Sequence, residues 1–95
     1  MSYTVKVRPH VRDFATTLGQ ERRRELKRAI LGLARERGDI RGLTDRLHGY
    51  YRLRVGTLRV VFRYLPGRVI ECVYVNERRL VYDILESRMG QILSE

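Results

Sequence analysis

Between Tyr50 and Val75 the chain alternates apolar and polar positions with a period of two, broken twice by turn residues. Tyr51, Leu53 and Val55 share one parity of the first run, and Tyr50, Arg52 and Arg54 share the other. In the next run Leu58, Val60, Phe62 and Tyr64 form one set, and Arg59, Val61 and Arg63 form the second. Successive side chains of a strand point to opposite faces, so the pattern predicts strands at residues 50–55, 58–64 and 69–75. Gly56-Thr57 and Pro66-Gly67 are the turn signals between them, and connections this short make the strands antiparallel neighbours. Residues 3–8 alternate in the same way, with Tyr3, Val5 and Val7 opposed to Thr4, Lys6 and Arg8.

Two stretches carry the helical period instead. Pro9 ends the first strand and is suited to open a helix. Val11, Phe14, Ala15 and Leu18 then recur at helical spacing up to Gly19, a natural stop. Leu26, Ile30, Leu33 and Ala34 make the apolar stripe of a second helix over residues 21–37, ended by Gly38. The pair predicts a helical hairpin with one apolar seam. Residues 39–48 read as a loop pinned by Leu43 and Leu47, and residues 76–79 read as a second loop. Asp83 and Glu86 stand at capping-box spacing ahead of Leu85, Met89, Ile92 and Leu93, which predicts a terminal helix over residues 84–93. The expected order is β-α-α-β-β-β-α. It describes a single α+β domain over residues 1–95, with the hairpin packed on one face of an antiparallel sheet.

Composition narrows the function. Ninety-five residues supply one modest core. No apolar run approaches the roughly 18 residues of a membrane span, and no apolar block follows the N-terminal charge as it would in a signal peptide. The one cysteine, Cys72, provides neither an intramolecular disulfide nor a metal cluster, and it reads as a small buried hydrophobe in a strand. These features predict a cytoplasmic protein without metal or cofactor. The formal charge is +9, from 20 Lys and Arg against 11 Asp and Glu. So much like charge repels itself in a small domain, and its usual counterparts are nucleic acid, an acidic protein or an anionic membrane. The chain has no basic amphipathic helix with exposed bulky apolar residues, which ranks the membrane last.

The charge is concentrated on the predicted sheet. From Arg46 to Arg68 there are six arginines and no carboxylate. If the strands pair across Gly56, then Arg52, Arg54, Arg59 and Arg63 cluster on one side and call for anions to neutralise them. Arginine grips phosphate oxygens with a planar fork and keeps its charge when partly desolvated. Tyr50, Tyr74 and Tyr82 near that surface offer faces on which bases can stack. The bland alternative is an ordinary solvated sheet face. An ordinary face interleaves both signs, and this run holds only one.

At this point the residues carry a resemblance. The run Leu-His-Gly-Tyr-Tyr-Arg-Leu-Arg-Val-Gly-Thr-Leu-Arg-Val-Val-Phe-Arg, followed by Val-Asn-Glu-Arg-Arg-Leu-Val-Tyr, resembles the RelE/ParE superfamily of bacterial toxins from type II toxin–antitoxin systems. The shared pattern is a leucine-glycine lead-in, an arginine-bearing hairpin, a hydrophobic strand, and an Arg and a Tyr four residues apart, here Arg78 and Tyr82. The order of strand, helical hairpin and sheet matches as well, so the resemblance covers nearly the whole chain. It implies a toxin silenced by a tightly bound, usually acidic antitoxin. RelE-like members cleave messenger RNA in the ribosomal A site without a metal, whereas ParE-like members inhibit DNA gyrase without cutting RNA. By position the resemblance places Arg52, Arg54, Arg59, Arg78 and Tyr82 on the working face. The chemistry of cleavage gives catalysis to Arg59, Arg78 and Tyr82 and RNA or phosphate binding to Arg52 and Arg54, which the strand pattern extends to Arg63.

The chain departs from that pattern where a general base is concerned. RelE-like members often carry lysines at the positions of Arg52 and Arg54, and other ribosome-dependent relatives use a Glu or a C-terminal His. No histidine follows His48 here. His48 and Glu77 are the candidate bases, since an arginine with a pKa above 12 has almost no neutral form. His10 reads as structural. Two functions follow: a ribosome-dependent endoribonuclease whose partners are mRNA and the ribosome, or a non-enzymatic inhibitor of DNA gyrase. In both an antitoxin is the partner.

Overall fold

Every strand but one forms where the alternation predicts it. The structure, a computed structural model, describes residues 2–82 and Ser87. In chain order its elements are β1 (Thr4–Val7), α1 (Pro9–Thr16), α2 (Gln20–Gly32), β2 (Asp39–Gly42), β3 (Tyr51–Val55), β4 (Leu58–Leu65) and β5 (Val69–Glu77). Single 3-10 turns at Leu33–Arg35 and Asp45–Leu47 flank β2 on either side. The sheet has five strands in the order β1-β5-β4-β3-β2, with β1 parallel to β5 and every other pairing antiparallel. The expectation of one α+β domain with a helical hairpin on the sheet is met.

Four expectations need correction. The sheet is mixed rather than wholly antiparallel, since β1 runs parallel to β5, and β5 continues to Glu77 where residues 76–79 read as a loop. The second helix ends at Gly32 and tightens into a 3-10 turn rather than running on to Arg37. Residues 39–48 are not all loop, because Asp39–Gly42 pairs with β3 as the edge strand. That segment, Asp-Ile-Arg-Gly, has one apolar residue and no alternation, so only its pairing partner makes it a strand. Of residues 84–93, expected to form a terminal helix, only Ser87 is among the described residues, and it is helical, as are Val81 and Tyr82.

The core lies between the helices and one sheet face. Val11, Leu26, Leu33, Leu53, Leu58, Val60, Phe62, Ile70 and Cys72 are buried there, as the alternation requires. Burying each of the larger side chains contributes about 1.5–3 kcal/mol. The other face carries a second, smaller cluster: Leu47, Val61, Val73, Tyr74 and Val81, with Leu43, Tyr50 and Tyr82 packed against it. The face predicted to be simply basic therefore has an apolar centre.

A β-bulge explains why that centre exists. Val61 faces Tyr74 and Phe62 faces Cys72, so Val73 is an extra residue in β5. The bulge reverses the parity of the strand beyond it. Val73 and Tyr74 both enter the second cluster, Asn76 lands opposite Arg59, and Glu77 turns toward the helices. His10 stands beside the bulge, where β1 has ended. Its ring stacks on Tyr74 with centroids 4.3 Å apart and planes 3° from parallel, and its Nε2 accepts the Val75 N–H at 3.4 Å. The structural reading of His10 agrees with this geometry.

Candidate functional site

The β3–β4 hairpin turns at Gly56-Thr57, and Gly56 has φ +59°. A positive φ at the first central residue alone suits a II′-type turn, where glycine is unstrained. The turn places Arg54 directly opposite Arg59 on the same face. Arg59 is 7% exposed, and its Nη1 donates to the carbonyls of Gly56 (2.9 Å) and Leu58 (2.8 Å). The guanidinium is thus seated against the turn that follows β3. Burial pulls its pKa below the ordinary arginine value, and the charges of Arg54 and Arg52 pull it further. Arg78 acts in the same direction, while Tyr82 opposes it. An arginine remains charged under such a shift, so the cost appears as unrelieved repulsion that a bound anion removes.

Arg52 is better compensated. Its Nη1 lies 3.3 Å from the Asp39 carboxylate and donates to the Asp39 carbonyl at 3.1 Å, across the β2–β3 pair. Arg54 is exposed. Arg78 is exposed in the turn after β5, and its N–H donates to the Thr57 carbonyl at 2.8 Å, which ties that turn to the hairpin. Tyr82 is half-buried against the second apolar cluster. The sequence-predicted residues Arg52, Arg54, Arg59, Arg78 and Tyr82 are therefore gathered at one end of the sheet. Among the described residues, no carboxylate forms an ion pair with Arg54, Arg59 or Arg78.

Arg63 is set apart from them. It lies four residues along β4, about 13 Å at strand rise. Its Nε and Nη2 grip Glu71 Oε1 at 2.9 and 2.8 Å, and Arg8 Nε stands 3.4 Å from the other carboxylate oxygen. Glu71 comes from the neighbouring strand, so the carboxylate-free run from Arg46 to Arg68 is not carboxylate-free in space. Tyr74 is 5% exposed and stacked on His10, which removes it as a platform for bases. Tyr50 is half-buried with the Arg63 guanidinium 6.0 Å from its ring centre.

Neither candidate base joins the cluster. His48 is exposed at the end of the Asp45–Leu47 turn, outside β3. Glu77 faces α2, where Arg22 Nη2 meets its carboxylate at 3.0 Å. That hydrogen bond, with one from Thr57, holds the Glu77 carboxyl below its ordinary range. Among the described residues there is no group of three or more His, Cys, Asp and Glu that could hold a metal ion, and no helix long and apolar enough to cross a membrane.

Sequence reasoning missed the Arg22–Thr57–Glu77 contact and the bulge that creates it. One signal was present: the four apolar residues Cys72 to Val75 break the alternation that a regular half-buried strand keeps.

No protein-family model and no curated protein matches the sequence. Solved structures do match. A chain of the RelBE2 toxin–antitoxin complex of Mycobacterium tuberculosis superposes with a TM-score of 0.72 at 24% identity, covering 82% of this chain and 100% of that one. A chain of the archaeal RelE–RelB complex of Pyrococcus horikoshii gives 0.63 at 28% identity, covering 82% and 97%. The free Escherichia coli toxin RelE, in a form with two arginines replaced by alanine, gives 0.70 at 16% identity, covering 97% and 99%. The chain thus takes the fold of RelE toxins, and the resemblance first carried by its hairpin holds for the helices and the whole sheet.

Proposed function

We propose that this chain is the toxin of a type II toxin–antitoxin system and acts as a metal-independent, ribosome-dependent mRNA endoribonuclease. The observation that supports it best is the gathering of Arg52, Arg54, Arg59, Arg78 and Tyr82 around one turn, on a fold shared with RelE toxins.

Cleavage of this kind begins when a ribose 2′-hydroxyl attacks the adjacent phosphorus. Negative charge builds on the phosphoryl oxygens, and the 5′-oxygen leaves. Arg59 is assigned to the phosphoryl oxygens because it is seated before any ligand arrives, so it needs no reordering at the moment of reaction. Arg78, on the turn hydrogen-bonded to the hairpin, is assigned to the leaving oxygen. Arg52 and Arg54 orient the RNA backbone, and Tyr82 stacks on or positions a nucleotide. The proton acceptor is assigned to no member of the cluster, since Glu77 faces α2 and His48 stands outside it. Charge stabilisation and alignment thus carry the rate in this reading, and losing one such donor costs about 10²–10³ in rate.

The partner is an acidic antitoxin, and α1 and α2 offer it a surface. Val7, Val11, Ala15, Leu26, Ile30 and Leu31 line an apolar groove of about 430 Å³, rimmed by Arg12, Arg23 and Lys27. Leu31 is 61% exposed there. An amphipathic helix with an acidic border suits this groove in both shape and charge.

Induction of the wild type and of the Arg59→Ala and Arg78→Ala variants, with mapping of messenger RNA ends, tests the reading. Growth arrest with new RNA ends is expected for the wild type and is lost in both variants. Arrest with no new ends but with an induced DNA-damage response would favour gyrase inhibition and overturn the ribonuclease assignment.

A further inference from the structure

Behind the arginine cluster, on the helix side of the sheet, one side chain links three pieces of backbone. Arg22 lies in the first turn of α2. Its Nη2 donates to Thr57 Oγ1 at 3.3 Å and to Glu77 Oε1 at 3.0 Å. Thr57 is the second residue of the hairpin turn, and Glu77 is the last residue of β5. Leu58 and Glu77 form the last rung of the β4–β5 ladder among the described residues, and Thr57 and Arg78 lie just past it.

Each of these contacts leads to a residue of the site. The Thr57 carbonyl takes the Arg78 N–H at 2.8 Å, and Glu77 immediately precedes Arg78. The carbonyl of Gly56, Thr57's neighbour, takes Nη1 of Arg59 at 2.9 Å. A hollow of about 190 Å³ lies between α2 and the turn, lined by Arg22, Glu25, Val55, Gly56, Thr57 and Leu58.

We infer that Arg22 is a positioning residue for the arginine cluster, clamping the β3–β4 turn to the end of β5 so that Arg59 and Arg78 keep a fixed separation. It touches no substrate. Its influence runs through Thr57 and Glu77 from the opposite side of the sheet. The depressed Glu77 carboxyl is consistent with the geometry: a group with a lowered folded pKa keeps its contribution above its unfolded value and loses it only as the pH falls into acid. The clamp is therefore complete at neutral pH. Exposed pairs like this one add little to overall stability. Alignment of catalytic groups is far more sensitive, since a displacement on the order of 1 Å can cost about 10²-fold in rate.

The catalytic part of this inference rests on the ribonuclease reading, and the structural part does not. Amide hydrogen exchange of the Arg22→Ala chain, compared with the wild type, separates the two. Faster exchange at the Arg78 amide, with the amides of Val60 and Val61 unchanged, is expected. Unchanged exchange at Arg78 overturns the clamp. A uniform acceleration across the sheet also overturns it, because it would make Arg22 a general stabiliser. In ribosome-dependent cleavage, Arg22→Ala should lower the maximal rate by about tenfold with little change in half-saturation. Arg22→Lys should recover part of that loss, and Arg22→Ala combined with Thr57→Val should lose no more than the worse single variant. Full additivity of the two substitutions overturns the shared route. If the wild type cuts no RNA, the ribonuclease reading fails while the exchange result still decides the clamp.

Discussion

Arg59 and Arg63 stand on the same face of β4, four residues apart, in unlike surroundings. Arg63 is paired with Glu71, whereas Arg59 has two backbone carbonyls and a ring of other arginines. An anion gains little by displacing a carboxylate already in place, and gains much where charge is unrelieved. Strand parity alone showed the shared face, but Glu71 reaches Arg63 from the next strand, eight residues on, and parity within one strand does not give the pairing register across the Pro66-Gly67 turn. Glu77 teaches the same point in reverse. Counting by twos from Glu71 puts Glu77 on the arginine face, and the bulge at Val73 puts it on the helix face. Cys72 was legible from its apolar neighbours alone. It is fully buried, and burial pushes its thiol up to about 12. Native protein at pH 8 should therefore resist a thiol reagent over a time in which the denatured chain is fully modified. Rapid stoichiometric labelling of the native chain contradicts that burial.

The elements follow from period and punctuation wherever these are strong. Gly56 and Gly67 mark both hairpin turns, and the alternating runs between them became β3, β4 and β5. The edge strand β2 was not legible, because Asp-Ile-Arg-Gly has no strand character of its own and pairs only once β3 is present to receive it. The bulge is the element on which the site depends most. His10 meets it from outside the sheet, through a stacked ring and an accepted N–H. Replacing His10 with alanine should lower the unfolding free energy by about 1–2 kcal/mol, from one aromatic contact and one partly buried hydrogen bond. Chemical denaturation measures it. A change well under 0.5 kcal/mol would mean that the bulge holds without His10.

At the scale of the molecule, the sheet separates two surfaces with different chemistry. One end of the face turned away from α1 and α2 gathers four arginines, and the helical hairpin presents an apolar groove with a basic rim. Under the proposed function both suit an acidic partner and only the first suits RNA cleavage, so neutralisation and catalysis should be separable by mutation. Leu31→Asp should weaken neutralisation by a co-expressed antitoxin by at least tenfold, through lost apolar contact and added like charge, while toxicity in its absence is retained. Equal neutralisation of Leu31→Asp and wild type would place the antitoxin elsewhere. The central claim is that Arg59 stabilises the charge that builds on phosphorus. Single-turnover cleavage of a defined mRNA on the ribosome measures it directly, comparing the wild type with Arg59→Ala after both are shown to be folded. The account predicts a rate lowered by about 10²–10³ at saturating toxin. An undiminished rate in the variant, or no cleavage by the wild type, would contradict it.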